Sequence, residues 1–92
     1  MHEKQLYKIS ISGRVQGVGF RYNAAREARS RGITGFVKNL SDGSVYIEAE
    51  GSTENLKNYV EWCKKGPPFG SVESVMIDSS APKDYEEFRI VS

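Results

Sequence analysis

Between residues 6 and 12, Tyr7, Ile9 and Ile11 alternate with Lys8, Ser10 and Ser12, the period of a strand with one buried face. This first strand is expected to end at Gly13. From Phe20 to about Arg31 the apolar positions Phe20, Ala24, Ala25 and Ala28 recur at helical spacing among Arg26, Glu27, Arg29 and Arg31. Gly32 then supplies the left-handed stop that helices favour. Residues 33 to 40 are rich in β-formers and residues 45 to 50 alternate strictly, with Ser41, Asp42, Gly43 and Ser44 as a turn between them. That pattern predicts a hairpin. Ser52 or Thr53 caps a second helix with Glu54 in its first turn, and Leu56, Tyr59, Val60 and Cys63 form its apolar stripe. Gly66, Pro67 and Pro68 end it. Residues 72 to 78 read as a fourth strand with Val75 and Ile77 on one side. Phe88 and Ile90 suggest a short fifth, beyond a separator at Ala81, Pro82, Lys83 and Asp84.

The resulting order is β-α-β-β-α-β with a short additional C-terminal strand, and two helices of similar length must cover one sheet face. The predicted architecture is the ferredoxin-like α+β sandwich, with a mostly antiparallel sheet. Right-handed crossovers make the first and third strands central, so the expected order of the main strands is 4-1-3-2. The sheet's other face is expected to be open to solvent.

Composition narrows the function. The 92 residues are 38% hydrophobic and hold no internal repeat, low-complexity tract or linker, which suits one small folded domain. Thirteen Lys and Arg against twelve Asp and Glu leave a formal net charge of +1, too little for a field that condenses on nucleic acid or an anionic membrane. The single cysteine, Cys63, has no partner for an internal disulfide and fits a reducing compartment. Its place on the apolar stripe of the second helix marks it as a small buried hydrophobe, not a nucleophile. The opening MHEKQLYKISIS lacks the apolar stretch of a signal peptide or a membrane span. A soluble, cytoplasmic, monomeric domain is expected, with neither nucleic acid nor membrane as partner. His2 has no second His or Cys at ligand spacing, so no zinc site is expected there.

The chemistry concentrates between the first strand and the first helix. Residues 13 to 21 read Gly-Arg-Val-Gln-Gly-Val-Gly-Phe-Arg, with three glycines in seven residues before the helix begins. Such a loop can turn several backbone N–H groups toward one point, where the free N–H groups and positive dipole end of the helix join them. A phosphate or carboxylate is the natural occupant. Arg21, in the first helical turn, can add two parallel hydrogen bonds from its planar guanidinium. Glycine-rich loops alone are weak signals, since many are only tight turns. Neither the Lys-Ser/Thr pair of the Walker loop nor the long α/β sheet of a dinucleotide site is present.

Taken together, GRVQGVGFR at residues 13 to 21 and GFVKNLSDGSV at residues 35 to 45 resemble the acylphosphatase family. The resemblance runs through Gly51, the Gly66-Pro67-Pro68 turn and the closing Phe88-Arg89-Ile90 strand, so residues 1–92 are expected to form one acylphosphatase-like domain. It implies a hydrolase that cleaves the carboxyl-phosphate bond of acyl phosphates to a carboxylate and inorganic phosphate, without metal or cofactor. It also implies that Arg21 binds the phosphate, that Asn39 orients the attacking water, and that Gln16, Gly17, Val18, Gly19 and Phe20 form the phosphate cradle. Inorganic phosphate, as product, is then expected to inhibit competitively.

The residue types suit that reaction. The leaving carboxylate has a conjugate-acid pKa of about 4, so no general acid is required. Catalysis reduces to stabilising phosphoryl oxygens and placing water in line. Neither motif contains a His, Cys or carboxylate to serve as base or covalent nucleophile; Asp42 and Gly43 read as turn residues instead. Arg14, Arg26, Arg29 and Arg31 read as solvated charge, with Arg14 placed to strengthen the loop's positive potential. Trp62, off the main stripe, reads as partly exposed packing. Two other functions share the fold. Residues 31 to 37, Arg-Gly-Ile-Thr-Gly-Phe-Val, carry part of an RNA-recognition motif, but on the second strand, with an inserted residue and without its first and last aromatics. A ligand-sensing domain leaves Arg21 and Asn39 without a joint task.

Overall fold

A computed structural model describes residues 3–92; His2 lies outside them. The elements are β1 (Lys4–Arg14), α1 (Phe20–Ser30), β2 (Thr34–Asn39), β3 (Val45–Ser52), α2 (Thr53–Lys65), β4 (Ser71–Ser80) and β5 (Phe88–Val91). They form a ferredoxin-like α+β sandwich. The sheet order is β4-β1-β3-β2-β5, so the main strands lie 4-1-3-2 as right-handed crossovers require, and β5 is added outside β2. β1, β2, β3 and β4 pair antiparallel, whereas β5 runs parallel to β2. β1 continues beyond the expected end at Gly13, because a register irregularity at Ser12 and Gly13 allows Gly13 and Arg14 to pair with Val72 and Ser71.

Both helices stop and start where their sequences direct. Past the end of α1, Gly32 takes φ +68 while the Ile33 N–H reaches the Ala28 carbonyl at 2.9 Å, closing the last turn. Ser52 Oγ accepts from the Asn55 N–H at 3.2 Å and caps α2, and Gly66 ends that helix by donating to the Trp62 carbonyl. Between sheet and helices, Ile9, Ile11, Val37, Val45, Ile47 and Ala49 meet Ala24, Ala25, Ala28, Leu56, Tyr59 and Cys63. Alanines on α1 let the two helices approach, and the Tyr59 hydroxyl donates to the Ala24 carbonyl at 2.9 Å, so this buried phenol is satisfied. Trp62 stacks on Tyr59 at the edge of the core. Cys63 is buried, and burial pushes its thiol well above the ordinary range, which matches an inert packing role.

One expectation is overturned. The face opposite the helices is not open along β3, because residues 81 to 87, crossing from β4 at one edge to β5 at the other, pass over it. Glu50, only 1% exposed, accepts from three backbone N–H groups of that crossing: Lys83 at 2.6 Å, Asp84 at 3.1 Å and Tyr85 at 2.7 Å. Asp84 adopts φ 60 within this turn, and consecutive N–H groups converge on the carboxylate as in an anion-binding nest. Glu48, also buried, accepts from the hydroxyls of Tyr46 and Tyr85 and from Lys83 Nζ. Burial pushes its carboxyl up, but those hydrogen bonds outweigh it and hold Glu48 below the usual carboxylate range. The Tyr85 phenol is correspondingly pushed up to about 12, by burial first and then by its bond to Glu48. Leu6, opposite Glu50 in the β1–β3 register, is fully buried.

β5 is held to β2 by backbone pairing and by two bonds from outside the strand. Gly35 N–H donates to the Glu87 carbonyl at 2.9 Å, and Arg29 Nη2 donates to the Phe88 carbonyl at 2.8 Å, so Arg29 is a structural tie and not only solvated charge. Arg31 likewise bonds Glu27 Oε1, at 2.6 Å. Gly35 has φ +136, and a Cβ there would overlap the Glu48 carbonyl oxygen. Gly35→Ala is therefore expected to lower unfolding free energy by roughly 2 kcal/mol, through overpacking against backbone that cannot yield cheaply. Denaturant titration checks it; an unchanged midpoint would show that β2 absorbs the methyl group.

Candidate functional site

The loop from β1 to α1 is held from beneath. Val15 is buried and Val18 packs against the core, so these apolar side chains pin the loop while the glycines beside them stay at its surface. Gly17 and Gly19 take φ +75 and +79, a region that ordinary side chains enter only with strain. At Gly19 the backbone, not space, demands glycine, because an added Cβ meets nothing closer than Asn23 Nδ2 at 3.4 Å. Gly19 is the residue that caps α1, and its carbonyl accepts from both the backbone N–H and the side-chain Nδ2 of Asn23, at 3.1 and 2.8 Å. The flexibility of this glycine is thereby spent on a defined geometry. Among the described residues no side-chain cap is made at the N-terminus of α1 and no acidic residue lies in its first turn, which leaves its positive dipole end available to an anion.

Above that helix start is a cavity of about 350 Å³. Gly17, Gly19, Phe20 and Arg21 line it from the loop and helix, Asn39 from the end of β2, and Val15, Tyr22, Ile90 and Ser92 complete it. Arg21 and Asn39, remote along the chain, thus face one space small enough for a phosphoryl group. Arg21 Nη1 donates to the Val91 carbonyl at 2.9 Å, which orients the guanidinium through one donor and leaves others for a ligand. Asn39 Oδ1 is buried without a hydrogen-bond partner among the described residues. Leaving such an acceptor unpaired costs on the order of 1–3 kcal/mol, so this carboxamide is one the fold has not consumed.

Two of the residues singled out from sequence do not line the cavity. Val18 is half-buried and packs against the core. Gln16 directs its Nε2 to the carbonyls of Leu40 and Ser44, at 2.8 and 2.9 Å, and so bridges the glycine loop to the hairpin that follows Asn39. Asp42 is a turn residue, as expected: its Oδ1 accepts from the Ser44 N–H at 2.9 Å and the Ser44 hydroxyl at 2.6 Å. Arg14 is exposed and outside the cavity lining. Tyr22, Ile90 and Ser92 were not expected. Tyr22 carries a signal in retrospect, since it is an aromatic off the apolar stripe of α1 and directly follows Arg21. No local pattern connects the C-terminal residues to this loop. Among the described residues, no helix is long and apolar enough to cross a membrane.

The fold and its glycine-rich first crossover place the chain in a class, the small ferredoxin-like domains whose distinctive chemistry is displayed between β1 and α1. A profile of the acylphosphatase family, described by that name, matches residues 7–90. An acylphosphatase of Thermotoga petrophila is 46% identical over 83 residues, covering 90% of this chain and 92% of the relative. The crystal structure of acylphosphatase from Bacillus subtilis superposes with a TM-score of 0.94 at 43% identity, covering 96% of this chain and 99% of that one. The structure of an acylphosphatase from Coxiella burnetii gives a TM-score of 0.92 at 35% identity, covering 96% and 93%. The chain belongs to the acylphosphatase family, enzymes that hydrolyse acyl phosphates.

Proposed function

We propose that the cavity at the start of α1 binds the phosphoryl group of an acyl phosphate and that Asn39 aims the water that displaces the carboxylate. The observation that carries this reading is the convergence of the glycine loop, Arg21 and Asn39 on one cavity of about 350 Å³. Backbone N–H groups of Gly17, Gly19 and Phe20 and the guanidinium of Arg21 cradle the phosphoryl oxygens, with the helix dipole favouring their negative charge. Asn39 accepts from the water through its oxygen and donates through its nitrogen. The water oxygen bonds to phosphorus as the bond from phosphorus to the acyl oxygen breaks. The electron pair of that bond leaves with the carboxylate, and a phosphate oxygen takes the water's proton. No side chain has to change protonation state, and the leaving group is stable enough as an anion to need neither a metal nor an acid.

Inorganic phosphate, a product that retains every group the cradle recognises, is a competitive inhibitor on this reading. The cavity grips the phosphate end, so acyl groups of varied structure are accepted. A monomer acting in the cytoplasm is proposed as well, on the small net charge and the single buried thiol. Release of phosphate from a synthetic acyl phosphate should persist in excess chelator and be inhibited competitively by inorganic phosphate. Activity abolished by chelator and restored by a divalent cation would overturn the metal-free mechanism.

A further inference from the structure

We infer that Gln16 is a positioning residue, whose carboxamide sets the distance between the phosphate cradle and Asn39. The inference rests on the reading of Arg21 and Asn39 given above. Reaction in line requires the water and the phosphoryl group to be aligned, yet the groups that hold them belong to separate elements: the loop before α1 and the end of β2. Gln16 lies in that loop immediately before Gly17, and its Nε2 donates to the carbonyls of Leu40 and Ser44 at 2.8 and 2.9 Å. Leu40 is the residue next to Asn39. One NH2 group therefore ties the backbone that carries the cradle to the backbone that carries the water-orienting amide.

The hairpin does not need Gln16 to close. Leu40 N–H already donates to the Ser44 carbonyl at 2.9 Å, Gly43 N–H donates to the Leu40 carbonyl at 3.2 Å, and Asp42 Oδ1 accepts from both Ser44 groups. Gln16 uses the remaining acceptor capacity of the same two carbonyls. Nor does the loop need it for depth, because Val15 and Val18 pack into the core. Apolar packing is non-directional, whereas two hydrogen bonds from one nitrogen to two carbonyls fix a lateral position. The arrangement asks for a primary amide, since a carboxylate of equal length turns two acceptors toward two acceptors and a methionine offers none of the donors.

Gln16→Met keeps length and apolar stem. It is expected to lower kcat for a synthetic acyl phosphate by roughly tenfold or more, since small misalignments are costly in such reactions. The inhibition constant of inorganic phosphate should stay within about twofold, because that ligand engages only the cradle. In an Asn39→Ala background the same substitution should change kcat by less than about twofold, because the group being aligned is gone. Unchanged kcat in Gln16→Met, an equal fall in the Asn39→Ala background, or a matching loss of phosphate affinity would each overturn the inference. Wild-type turnover in Asn39→Ala alone would instead remove the reading beneath it. If Gln16→Met does not fold, Gln16→Glu serves: turnover should rise as pH falls and the new carboxyl gains one O–H donor, beyond any rise in the wild type. A profile parallel to the wild type's would count against the assignment.

Discussion

Replacing Arg21 by Ala is expected to lower kcat/KM for an acyl phosphate by at least about a hundredfold and to abolish inhibition by inorganic phosphate. The guanidinium opens into the same cavity as the glycine loop, and its bond to the Val91 carbonyl at 2.9 Å leaves further N–H groups for phosphoryl oxygens. Removing a charged donor from an oxyanion site typically costs roughly 3 kcal/mol of transition-state stabilisation, which is more than a hundredfold in rate. Because the cradle binds phosphate in substrate and product alike, KM and the phosphate inhibition constant should rise together with the fall in kcat. Arg21→Lys is the sharper probe. It keeps the charge and loses the planar fork, so turnover should remain far below wild type. Near-normal turnover by the lysine variant would mean that charge alone suffices and that the two parallel bonds are not made.

Asn39→Ala should behave differently. It is expected to lower kcat by about a hundredfold or more while leaving the phosphate inhibition constant nearly unchanged, because on the proposed reading the amide acts on the attacking water and not on the bound phosphate. The same substitution removes a buried acceptor without a partner among the described residues, so the folded state should lose little stability and the variant can be compared directly with wild type at one temperature. Steady-state kinetics with phosphate as inhibitor separates the two variants. A phosphate constant that weakens as much in Asn39→Ala as in Arg21→Ala would move Asn39 from the water to the cradle.

Most of this framework is legible in the sequence. Strict alternation at residues 45 to 50 and the helical stripes beginning at Phe20 and Leu56 report burial directly, and the right-handed crossover rule then orders the strands. The misreading of the second sheet face came from Glu48 and Glu50. Period-two alternation records that one face of β3 is polar, but it does not distinguish water from a crossing segment whose N–H groups and hydroxyls need a carboxylate. Residues 81 to 87, with Ala, Pro and charge, likewise look like a solvated separator until Glu50 is seen holding three of their N–H groups. At the site, Arg21 and Asn39, which the structure brings to one cavity, each lie in a compact motif, Arg21 standing out by its place after the glycine loop and Asn39 through the family resemblance. The tie from Gln16 to Leu40 and Ser44 and the approach of Ile90, Val91 and Ser92 are not legible there, since they join segments that only the finished fold makes neighbours.

The cavity draws on residues 15 to 39 and on the last strand, and takes nothing from β3, α2 or β4. Those elements serve it at one remove: β3 and β4 pair with the strands that carry the site, and α2 meets α1 through the bond from the Tyr59 hydroxyl to the Ala24 carbonyl. A substitution in β3, α2 or β4 therefore reaches the cavity only through the packing and hydrogen bonds that join these elements to the rest, those of Glu48 and Glu50 included, whereas one between β1 and α1 reaches it directly.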